Sequence, residues 1–221
     1  MKQVIFIKKP ILFSILIAGG MLLGSGIFLI LSIFNIISFN RTPVNGHAET
    51  AVNGNPILTA LAYEVLECFR DDDFNTLANI AHPEFGVVFS PGATINLTAN
   101  KRFNTAQIAA MGSDTTVYIW GVYDESGAPI EMTPAEYFAE FIPAKSFLEA
   151  PYVVINRIAR SGNALENINE VFPDVKFVDF YLPGSERDSS EEQDWSILRI
   201  GFEEHSDGLR LTIIIHSKRT D

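Results

Sequence analysis

Three hydrophobic rhythms succeed one another along this chain. From Ile11 to Phe34 the side chains are apolar apart from Ser14, Ser25 and Ser32, whose small hydroxyls can bond back to helix carbonyls. As a helix rising 1.5 Å per residue, this run reaches about 36 Å, enough to cross a hydrocarbon core of about 30 Å. A transmembrane helix is therefore expected within residues 11–39, preceded by a short N-terminal segment over 1–10. The stretch from Asn40 to Asn55, NRTPVNGHAETAVNGN, is rich in turn-forming residues and has no apolar period, which predicts a linker over 40–55. Beyond it the apolar positions recur first at helical spacing and then at every second residue, so residues 56–221 are expected to form one α+β domain.

Asn55-Pro56 reads as a helix cap followed by proline at the first helical position. Leu58, Leu61, Ala62, Val65, Leu66 and Phe69 then share one helix face. Asp71-Asp72-Asp73 ends that helix, and a shorter one carrying Phe74, Leu77, Ala78 and Ala81 runs to His82-Pro83. Short strands are expected at Gly86 to Ser90 and Thr94 to Leu97, a helix near Thr105 to Met111, and a strand from Thr116 to Tyr123. Thr133-Pro134-Ala135-Glu136 has the form of a capping box and predicts a helix to Phe141. Strands follow at Tyr152 to Ile158, Lys176 to Leu182, Trp195 to Glu203 and Leu209 to Ser217, with a short helix around Ala164 to Val171. Ser206-Asp207-Gly208 joins the last two strands as a hairpin. The order predicts a curved antiparallel sheet packed against helices.

Charge sharpens the topology. Lys2, Lys8 and Lys9 precede the apolar span and Arg41 alone closely follows it. The positive-inside rule then puts the N-terminus in the cytoplasm and the domain on the outer side of the cytoplasmic membrane. A cleaved signal peptide is the competing reading, because Gly46-His47-Ala48 offers small residues around a cleavage point. The length of the apolar run, and the distance of that point from its end, favour an uncleaved anchor. The chain carries −11 overall, but its first forty residues contain no acid; the remainder holds 13 basic against 27 acidic residues, a net of −14. Such a surface repels phosphate backbones, so no nucleic-acid partner is expected. Cys68 is the only cysteine, which excludes an intramolecular disulfide. Its place inside a helical run suits a core thiol better than a lipid-attachment site.

Two helices, short strands, another helix and closing long antiparallel strands resemble the element order of the nuclear transport factor 2-like cone fold. The segments His82-Pro83-Glu84-Phe85-Gly86-Val87-Val88-Phe89-Ser90-Pro91, Trp120-Gly121-Val122-Tyr123-Asp124 and Trp195-Ser196-Ile197-Leu198-Arg199 also resemble stretches found in exported, membrane-anchored bacterial proteins of uncharacterised activity. What the cone resemblance implies is a pocket lined by inward-facing strand residues. Trp120, Tyr123 and Trp195 would then form an aromatic wall, and His82, Asp124, Glu131, Arg199 and His216 would supply polar groups. Against that stands the routine use of strand aromatics as core.

Signatures of catalysis are missing from the sequence. His47, His82, His205 and His216 are scattered without metal-ligand spacing, and neither a Gly-rich phosphate loop outside the apolar span nor Gly-x-Ser-x-Gly occurs. No metal, cofactor or assigned catalytic residue is expected. The leading expectation is an extracytoplasmic binding or protein-interaction domain, held to the lipid bilayer through residues 11–39, with a small-molecule ligand or a second copy as partner. The alternative is a membrane-tethered enzyme pairing His82 or His216 with Asp124 or Glu131 as acid and base.

Overall fold

The computed structural model describes residues 55–123, 126–184 and 194–218. The expected span over 11–39, the linker before Asn55, and Asp124 lie outside them. Among the described residues no helix is long and apolar enough to cross a membrane.

Six helices are described: α1 Pro56–Asp71, α2 Phe74–Ile80, α3 Thr105–Ala110, α4 Pro134–Phe141, α5 Ala144–Leu148 and α6 Ile168–Val171. The strands are β1 Val87–Ser90, β2 Lys101–Phe103, β3 Tyr118–Val122, β4 Pro129–Met132, β5 Tyr152–Ile155, β6 Lys176–Leu182, β7 Ser196–His205 and β8 Gly208–Lys218. Local chemistry sets the helix ends. The Asn55 carboxamide accepts the amide protons of Ile57 and Leu58 to start α1, and Asp72 adopts a left-handed conformation to stop it. In α4 the Thr133 hydroxyl accepts from the Glu136 amide while the Glu136 carboxylate accepts from the Thr133 amide at 2.8 Å. The cap of α3 is Asn104, paired reciprocally with Gln107, one residue before the expected Thr105.

Six strands form a curved sheet in the order β2-β1-β8-β7-β6-β5, and β3 and β4 make a separate hairpin. All pairs in the large sheet are antiparallel except β1 with β8, so the sheet is mixed, not antiparallel as expected. Turn signals report only neighbours joined by short loops. A parallel pair needs a long crossover, here supplied by everything between Ser90 and Gly208. Both members of that pair, Val87-Val88-Phe89 and Ile213-Ile214-Ile215, are buried on both faces, as parallel pairs in sheet interiors usually are.

Thr94 to Leu97 is not a strand. Asn96 draws the chain into a turn, its carboxamide accepting from the Thr98 amide at 3.0 Å and its carbonyl from the Asn100 amide at 2.7 Å. These local bonds outcompete strand pairing, and the pairing partner of β1 is instead the short, charged Lys101–Phe103. The expected strand to Ile158 stops at Ile155, because Asn156 turns left-handed with φ 51° and its side chain accepts from the Phe177 amide at 2.8 Å.

The sheet separates two cores. On one face Phe89, Phe180, Leu198, Ile200, Phe202 and Ile214 pack against α1, α2, α4, α5 and the β3–β4 hairpin. On the other, Val88, Phe177, Ile213 and Ile215 meet Ile168, Phe172 and Val175, contributed by a strap that leaves β5 and returns to β6. Close approach on that second face requires Gly201, where a Cβ would stand 2.7 Å from Ile213 Cγ2 and 3.0 Å from Val175 Cγ2. A bulge between Gly201 and Phe202 adds Thr212 to the opposing strand and keeps both Ile213 and Leu211 on their respective faces.

Candidate functional site

Seven of the eight residues expected to line one pocket lie among the described residues, and they are dispersed. Trp120 and His216 do share the helix-covered face of the sheet. There, Trp120 stacks on Tyr137 at 3.8 Å, Tyr137 stacks on Phe141 at 4.7 Å, and the Phe141 ring meets His216 edge-on at 5.6 Å. Every residue of this row is at most 7% exposed. The Trp120 indole N–H donates to the Met132 carbonyl at 2.9 Å, so its polar edge is satisfied. Along this row the space between the sheet and the helices is filled by aromatic rings.

Within it, the ring Nε2 of His216 lies 2.8 Å from the Ser196 hydroxyl. Its Nδ1 is buried and has no hydrogen-bond partner. Burial pushes this imidazole down to about 4, and the Lys218 charge adds to the effect, so the ring is neutral across the physiological range. A base this weak, with no carboxylate to orient it, lacks the usual equipment of a general base. Tyr137 beside it is raised well above the ordinary phenol range by burial.

His82 stands elsewhere. Its backbone amide bonds Leu211, five residues from His216 along β8, or roughly 17 Å of extended chain. Its Nδ1 accepts from the amides of Glu84 and Phe85 at 3.3 and 3.1 Å, so the ring caps the turn that follows it. The ring packs 5.3 Å from His205, whose Nδ1 lies 2.7 Å from Asp207. Among the described residues no group of three or more histidine, cysteine or acidic side chains could hold a metal ion, and neither His82 nor His216 is hydrogen-bonded to a carboxylate.

Trp195 and Arg199 lie on the opposite, strap-covered face. Trp195 is buried, with the Arg160 guanidinium 5.7 Å from its ring centre. Arg199 is the centre of a cluster that sequence reasoning missed. Its Nε and Nη2 donate to the two oxygens of Asp179 at 2.6 and 2.9 Å, and its Nη1 donates to Glu166 at 2.6 Å. The Ala159 amide also donates to Asp179, at 3.0 Å, and the guanidinium stands 4.8 Å over the Phe177 ring. Side-chain exposure is 2% for Arg199, 0% for Asp179 and 9% for Glu166. Two carboxylates thus share one buried cation, and one Glu166 oxygen has no partner. Burial raises the Asp179 carboxyl above its ordinary value despite Arg199, while the two carboxylates hold the guanidinium protonated. The signal was present as Asp179 and Arg199 in the middle of otherwise apolar strands that face each other in register.

Tyr123 closes β3, its amide bonding the Ala128 carbonyl at 2.9 Å. Glu131 points outward from β4, cross-strand from Ile119, and with Met132, Glu136, Ala139 and Glu140 it lines a shallow hollow between β4 and α4. The chain matches no family model and no curated protein.

Proposed function

We propose that this chain is a membrane-anchored domain displayed on the outer side of the cytoplasmic membrane, and that it works by binding another protein. The apolar run Ile11 to Phe34 behind Lys2, Lys8 and Lys9 supports the anchor and its orientation. A curved sheet closed by helices supports kinship with the cone fold. The observation that carries the binding role is the filled interior: Trp120, Tyr137 and Phe141 stack where a small ligand would sit. With that space occupied, recognition falls to the outer surface.

The test uses the full chain in its own membranes. Protease added outside should digest a C-terminal tag while the N-terminal segment is retained at the membrane. Crosslinking there should recover a defined protein partner. A small molecule that raises the melting temperature of the full chain and changes the fluorescence of the buried tryptophans would overturn the filled-interior reading.

A further inference from the structure

The outer face of the β3–β4 hairpin is apolar where the inner face already supplies core. Val117, Ile119 and Val122 are 61%, 56% and 49% exposed, whereas Trp120 and Ile130 on the same two strands are buried. Strand alternation explains Val117 and Ile119 but not Val122, which lies an odd number of positions further on and would turn inward in a regular strand. The register shifts between Ile119 and Val122, and the irregularity contains Gly121 at φ 153°, where a Cβ would meet Pro91 at 3.0 Å and Asn100 at 3.2 Å. Only glycine fits this bulge comfortably, and its effect is to re-aim Val122 onto the face of Ile119.

Across the hairpin, Pro129 pairs with Val122 and Glu131 with Ile119, both exposed. Glu131 is shared with the hollow between β4 and α4, whose other charged groups are Glu136 and Glu140; no lysine or arginine lines it. An apolar stripe is thereby bordered by carboxylates, in a domain whose residues after position 40 carry −14. A second copy would bring acid against acid, and an anionic bilayer would be repelled.

Resting on the protein-binding reading above, the geometry points to this face as the docking surface for a partner segment with one apolar and one basic edge. The apolar edge covers Val117, Ile119 and Val122, and the basic edge lies along Glu131 and Glu140.

The full chain in nanodiscs of zwitterionic lipid, titrated with a short fluorescent peptide of valine on one edge and lysine on the other, tests this. Saturable binding is expected, weakening steeply with salt and by about tenfold or more in Ile119→Asp and in the double variant Glu131→Gln, Glu140→Gln. Leu165→Asp, an exposed apolar position on the strap, should bind as the parent does. Equal binding of a peptide with glutamate in place of lysine, or parent-like binding by Ile119→Asp, overturns the proposal. So does a dimer in sedimentation that Ile119→Asp dissolves, which would make the occupant a second copy. Membrane crosslinks that map to another face would sink this surface while leaving the protein-binding role intact; absence of any protein partner would sink both.

Discussion

The two faces of the one sheet are built on different physics. The helix-covered face is filled by volume: Phe89, Trp120, Tyr137, Phe141 and their neighbours form a continuous aromatic packing with few polar demands. The strap-covered face is thinner and holds charge, with Arg199 between Asp179 and Glu166. Side chains fixed by shape tolerate little change of size but are indifferent to pH. Those fixed by ion pairing tolerate no loss of the counter-charge, because a buried carboxylate without its cation has lost both water and partner. The strap uses short polar ties besides, such as Asn167 bonding both the amide and the carbonyl of Ile95 at 2.8 and 2.9 Å.

The largest break is expected on the aromatic face. Trp120→Ala removes the ring against which Tyr137 stacks and the indole N–H that donates to the Met132 carbonyl, so a loss of about 4–5 kcal/mol is expected from chemical denaturation, equal at pH 5 and pH 8. Arg199→Met should cost about 4 kcal/mol at neutral pH for a different reason. Without the guanidinium, the burial that already raises the Asp179 carboxyl above its ordinary value acts with less to oppose it. A raised folded value means that stability is retained while Asp179 is protonated and is lost as pH rises. The Arg199→Met defect should therefore shrink in mild acid, and a pH-independent defect would show that the guanidinium matters only as packing.

His216 is the exception on the aromatic face, a titratable ring among hydrocarbons. The unfolded imidazole binds its proton near 6.5 and the folded one near 4, so the unfolded state takes up protons first and stability falls as pH drops through that interval. About 2 kcal/mol should be lost by pH 5. His216→Gln should abolish that portion of the acid slope; an unchanged slope would assign it to other groups.

Two smaller effects refine the strap-covered side. Gly201→Ala places a methyl against Ile213 and Val175 and should cost about 1–3 kcal/mol in melting experiments. Glu166→Gln removes the surplus negative charge while Asp179 keeps its bidentate contact with Arg199, so a change within about 1 kcal/mol is expected. A much larger loss would show that the strap depends on the Glu166 charge itself. Alkylation of Cys68 offers a common readout, since burial foremost, and nearby acids such as Asp73, push that thiol up to about 11; modification should report unfolding.

Legibility in the sequence followed the range of the interactions. Asn55, Thr133 with Glu136, and the Asp207-Gly208 turn act on neighbours a few residues away, so the helices they start and the hairpin they close could be read directly. Lys101–Phe103 could not: three residues, two of them charged, become a strand only because β1 offers them an edge. Nor could the candidate site be assembled. Trp120 and Trp195 have the same residue type and similar strand positions, yet one faces the helices and the other the strap.

By itself the sequence determined the caps of α1 and α4, the alternation of the long strands, the acidity of the domain, and an apolar run of membrane-spanning length before it. These depend on chain-local preferences and on simple counts of charge and hydrocarbon. The parallel pairing of β1 with β8, the meeting of Glu166 with Arg199, and the filling of the interior by Trp120 and Tyr137 were decided only in three dimensions. Each joins residues far apart in sequence, and such contacts form only where the packing of the whole domain compensates the entropy of closing the intervening chain.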